Sequence, residues 1–70
     1  MTTRRRYPAP WRIEENPESY VVVDSLGQAL AHVYFEDESI RRGITKRLNQ
    51  SDAYQLARAI TRIPALLQRD

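Results

Sequence analysis

Residues 19 to 36 read SYVVVDSLGQALAHVYFE, and this stretch decides the fold: a β-branched run, a glycine-bearing turn and a second apolar run follow one another without a break. Valine and tyrosine favour the pleated, half-buried surface of a strand. In DSLGQ, Asp24 takes the first turn position and Gly27 the fourth, which suits a type I turn with a left-handed glycine bulge closing a three-residue loop. The pattern predicts a hairpin with strands over 19–24 and 28–36. If Asp24 pairs with Gln28, then Val22 falls opposite Leu30 and Tyr20 opposite His32, because antiparallel partners keep a constant index sum. One face then carries Val21, Val23, Ala29, Ala31, Val33 and Phe35. The other carries Tyr20, Val22, Leu30, His32 and Tyr34. The two alanines leave room for a helix, so the first face is the predicted core.

Upstream, Trp11 and Ile13 alternate with Arg12 and Glu14, the period of a strand with one buried side. The first strand is placed at 11–15, and Asn16 and Pro17 turn the chain into the second. Pro8 and Pro10 impose an extended approach. Residues 1–7 read as a flexible tail. If Glu14 pairs with Ser19, Trp11 shares the face of Tyr20 and His32; a one-residue shift moves it to the other side.

Downstream, residues 38–46 have acids at the start and bases at the end, as a helix dipole prefers, although Gly43 weakens the segment. A short helix is expected there. Asn49 is a capping residue, and Ala53, Leu56, Ala57, Ile60 and Ile63 recur at helical spacing. They predict an amphipathic helix over 50–63, with Arg58 and Arg62 on its wet side and Pro64 ending it or opening another turn. The expected architecture is an α+β domain over residues 8–70. It consists of a three-stranded antiparallel meander, then a short helix and an amphipathic helix packed on one sheet face.

With 70 residues, the chain buries only about 60% of its unfolded surface, and the absence of cysteine removes disulfides and thiolate zinc sites as reinforcement. No apolar run approaches ~20 residues and no hydrophobic segment of the signal-peptide type follows Arg6, so a soluble cytoplasmic protein with no membrane contact is expected. Net charge is +2, but it is laid out in blocks: seven acids and no Lys or Arg from Ile13 to Ile40, then seven bases and one acid from Arg41 to Arg69. Such blocks steer a polyanion, or attract each other within the fold or across an interface.

Catalysis by an activated nucleophile needs a base and a group that orients it. His32 is the one histidine, and Ser19, Ser25, Ser39 and Ser51 all stand in turn or cap contexts. Phosphate-cradling loops need more glycine than Gly27 and Gly43 provide. Glu36, Asp37 and Glu38 are consecutive rather than convergent, and they read as a strand end and a helix start, not a cation site. No catalytic residue, metal ligand or cofactor is therefore assigned.

The segments RRYPAPWRIEE, SYVVVDSLGQALAHVYFEDE and LNQSDAYQLARAITRIPALL together span Arg5 to Leu67, and their combination resembles a family of short alphaproteobacterial proteins of uncharacterised role. The resemblance implies a compact domain and supplies no activity, substrate or site residue. In that family the hairpin turn often reads Asn-Gly, where this chain has Leu26-Gly27.

Function is thus expected in surface. One helical layer covers one face of a small sheet, and both predicted faces are apolar, so Tyr20, Val22, Leu30, His32 and Tyr34 form the expected contact face of a non-enzymatic interaction module that self-associates or binds a protein partner. The alternative is a nucleic-acid-associated protein using Arg41, Arg42, Lys46, Arg47, Arg58 and Arg62, with Arg4 to Arg6 as an arm.

Overall fold

The computed structural model describes residues 7–67. Strands β1 (Arg12–Glu15), β2 (Ser19–Val23) and β3 (Ala29–Tyr34) form one antiparallel sheet in the order β1-β2-β3. Helix α1 (Ser39–Thr45) follows, then α2 (Gln50–Thr61) and α3 (Ile63–Leu67), which continue one another through a bend at Arg62. The expected meander followed by helices is the observed α+β fold. Residues 1–6, most of the expected tail and all of the Arg4 to Arg6 arm, lie outside the described residues. Tyr7 is within them, and its carbonyl accepts from Trp11 Nε1 at 2.8 Å.

The β2–β3 turn is built as its chemistry predicts. Gly27 adopts φ +89°, and its N–H donates to the Asp24 carbonyl at 3.0 Å. Asp24 Oδ1 accepts from Leu26 N at 2.9 Å and from Gln28 N at 2.8 Å. That side chain belongs to a residue only 2% exposed, so these bonds offset the loss of its hydration. Asp24 N–H donates to Gln28 O at 3.0 Å, which fixes the start of the register.

The register then changes. Val23 faces Ala29, but Val22 faces Ala31, Val21 faces His32 and Tyr20 faces Val33. Leu30 is the extra residue of a β-bulge. The bulge reconciles two demands that a regular hairpin cannot meet together. The apolar residues here are Trp11, just ahead of β1, and Ile13 within it, and Ile13 faces Val22, so Val22 must point to the core. On the third strand the large apolar residues are Val33 of β3 and Phe35 just past its end, whereas a regular continuation from the turn would turn His32 and Tyr34 inward. One inserted residue keeps the turn and flips the rest of β3.

The core is accordingly Tyr20, Val22, Val33, Phe35, Ala53 and Ala57, with Trp11, Ile13, Ala31 and Ile60 packed against it. This corrects the predicted core face: Tyr20 and Val22 replace Val21 and Val23. The residues that let the helix come close are Ala53 and Ala57 of α2, both 0% exposed, together with Ala31 of β3, which packs against the core; Ala29 pairs with Val23 on the other face. Trp11 lies on the helix side together with Tyr20.

Helix α2 begins at Asn49, whose side chain accepts from Asp52 N at 2.7 Å, and it lies over β2 with contacts to β3 and β1. The Tyr20 ring meets Phe35 at 5.2 Å and Tyr54 edge-on at 5.3 Å. Between β3 and α2 the chain makes an excursion that is closed at its base: Phe35 bridges Leu48, and Glu36 N–H donates to Leu48 O at 2.8 Å. Helix α1 occupies this excursion and packs on no other helix or strand.

Candidate functional site

The bulge divides the residues expected to share one contact face. Tyr20 is 7% exposed and Val22 0%, both beneath α2, so neither belongs to a free surface. Their inward position follows from the register set by Ile13 and the bulge. His32 and Tyr34 lie on the opposite, open side and are exposed, their rings stacked at 6.0 Å. Leu30 is half-buried, projecting from the bulge into a groove on the helix side.

The open side of the sheet is not a large apolar patch. Val21 and Val23 point that way yet are only 5% and 2% exposed. Val21 is flanked by Glu14 and His32, Val23 by Arg12 and Ala29. The Arg12 and Glu14 side chains pair at 3.2 Å, and their aliphatic stems shield the valines between them.

The apolar surface lies elsewhere. A groove of about 430 Å³ runs between the bulged part of β3 and the end of α2, lined chiefly by Trp11, Leu30, Ala31, Ile60 and Ile63. Leu56, Ile60, Ile63 and Leu67 fall at i, i+4, i+7 and i+11, one stripe along the α2–α3 arm. Its outer part is open: Leu56 is 47% exposed and Leu67 67%. Helical spacing alone revealed Leu56, Ile60 and Ile63 as apolar positions. Which of them overhang the sheet depends on the strand order, which spacing does not contain.

The edge of β3 beside this groove is open at His32, between the bulge at Leu30 and the bridge from Phe35 to Leu48. Phe35 N–H donates to Glu18 O at 3.0 Å, and the alternation of an antiparallel ladder therefore directs the His32 backbone groups outward. Within that short stretch the strand sequence ALAHVY contains no charged residue and no proline, two of the devices that guard an exposed edge. The other edge, β1, reads RIEE and is guarded by charge.

The six bases expected to form a polyanion surface fall into two groups. Arg41 meets Glu36 at 3.7 Å, and Arg47 meets Glu18 at 3.0 Å while lying 5.0 Å from the Tyr34 ring centroid. Arg42 donates to the Glu36 carbonyl at 3.1 Å and to that of Asp37 at 3.3 Å. Lys46 is the left-handed C-cap of α1. Arg58 and Arg62 project from the far half of α2, an element that does not contact α1. Among the described residues, no three His, Asp or Glu side chains gather as a metal site, and no helix is long and apolar enough to cross a membrane. Comparisons with family models, with curated proteins and with solved structures find no match to this chain.

Proposed function

We propose that this protein is a non-enzymatic interaction module that pairs with a second copy of itself along the β3 edge and the apolar flank of α2 and α3. The observation that carries this reading is the juxtaposition of an uncharged open strand edge with the stripe Leu56, Ile60, Ile63 and Leu67. Such an edge invites strand pairing, and the adjoining stripe gives paired copies apolar surface to bury. A chain of 70 residues gains most from this, since its own core is small. The expected contact thus keeps Leu30 and the His32 backbone and exchanges Tyr20 and Val22 for the helical stripe.

The polyanion reading has less support. Arg41 and Arg47 are paired with carboxylates and Arg42 with carbonyls, so phosphate would have to displace them, and the remaining bases are spread over separate elements.

Sedimentation equilibrium of the full chain tests the proposal. The wild type is expected to associate, and Leu56→Glu combined with Leu67→Glu, both at exposed positions, is expected to lower the mass without changing the far-UV spectrum. A wild type that stays monomeric at high micromolar concentration overturns it.

A further inference from the structure

Helix α1 is held at its ends and not by a packed face: Glu38 caps its start, accepting from Arg41 N at 2.7 Å, and Arg42 bonds the Glu36 and Asp37 carbonyls. It has seven residues and none of them is buried; it packs on no other element. Helices this short are unstable in water unless an apolar face is covered. Its apolar residues, Ile40 and Ile44, are 70% and 75% exposed, and at i and i+4 they lie on one face.

Gly43 adjoins both isoleucines on that face. Glycine is the poorest helix former after proline, and here a Cβ would meet nothing within 4 Å. Packing among the described residues therefore gives no steric cause for a glycine. Close approach of another helix would.

We propose that α1 is a second contact between copies of this chain, in which the Ile40, Gly43 and Ile44 face crosses the same face of another copy with the two helices antiparallel. Charge selects a second copy as the occupant. Asp37 and Glu38 precede the apolar pair and Lys46 follows it, whereas Glu36 and Arg47 are already held by Arg41 and Glu18. Antiparallel crossing sets the acidic end of each helix against the basic end of the other and opposes their dipoles. Parallel crossing sets like against like. The inference rests on the self-association proposed above and adds a further face to it, so pairs joined through β3 are joined again through α1.

Sedimentation equilibrium of full-length variants separates the two contacts. Wild type is expected above two chains, since every chain carries both faces; Ile40→Ser with Ile44→Ser is expected as two. Leu56→Glu with Leu67→Glu is also expected as two, and the combination of all four substitutions as one. Gly43→Ala gives the sharper test. It should raise the thermal midpoint of dissociated chains, because alanine favours helix, yet weaken the α1 contact at least about tenfold in Kd. The contact should also loosen on going from low salt to about 0.5 M NaCl, as screening shortens. If the isoleucine variants keep the wild-type mass while the flank variant becomes monomeric, the α1 contact is overturned and the β3 pairing stands. If the reverse pattern appears, the β3 pairing falls and the α1 contact stands. Gly43→Ala that leaves Kd unchanged overturns the close crossing.

Discussion

The side-chain amide of Gln50 donates to the Tyr20 hydroxyl at 2.9 Å, joining the first turn of α2 to the middle of the central strand. The Tyr20 ring is buried among Phe35 and Tyr54, so one residue contributes both an apolar body and a polar tie. The two contributions are separable. Tyr20→Phe should destabilise by about 1 kcal/mol, the net value of one hydrogen bond, whereas Tyr20→Ala should cost about 3–5 kcal/mol. Denaturant midpoints at constant slope measure both. Equal losses would mean that the ring contributes nothing.

Gly27→Ala isolates backbone strain. No atom lies within 4 Å of the added Cβ, so the change acts through φ +89° alone. A penalty of about 1–2 kcal/mol is expected, which lowers the melting midpoint by about 4–8 °C per kcal/mol in a chain of this size. An unchanged midpoint would show that the turn relaxes to another form.

Deletion of Leu30 should be tolerated. With the bulge residue removed, Asp24 still meets Gln28 and Val22 still meets Ala31, now in an unbroken register. The core set of Tyr20, Val22, Val33 and Phe35 is unchanged. Stability should stay within about 1 kcal/mol, the span of strand propensities in a host sheet, while self-association weakens because Leu30 leaves the groove. A spectrum of the unfolded chain would refute the account of the bulge.

Arg47→Ala removes the ion pair with Glu18 and the contact over Tyr34. The Arg47 and Glu18 side chains are 30% and 69% exposed, so water and salt screen the pair. A loss below about 1 kcal/mol is expected, and it should shrink further as ionic strength rises. Thermal melts of wild type and variant at two salt concentrations decide this. A loss of several kcal/mol would make Arg47 a structural anchor.

Much of the fold was legible because its determinants are local. Asp24 and Gly27 specify a turn whatever surrounds them, and Asn49 through Ile63 carry a cap and a helical period. The faces of the sheet were not legible in the same way. They depend on β1 and β3 agreeing with β2, and that agreement is reached by an inserted residue that no local pattern marks. The conflict itself stands in the sequence: Trp11 and Ile13 require one face of β2, and continuing from the turn pairs that face with His32 and Tyr34. The expected contact set failed at Tyr20 and Val22 for this reason alone. The pairing of Arg47 with Glu18 was equally hidden, since 29 positions separate them and only the closed excursion brings them together.

That closure separates the lobe from the core. The bonds from Glu36 N–H to Leu48 O and from Gln50 N–H to Asp37 Oδ1, the latter at 2.9 Å, seal the stem of the lobe that bears α1. Substitutions at Ile40, Arg41, Gly43 or Ile44 remove nothing from the core. The lobe is built as a cassette: a segment grafted between its sealed ends would leave Tyr20, Val22, Ala53 and Ala57 in place.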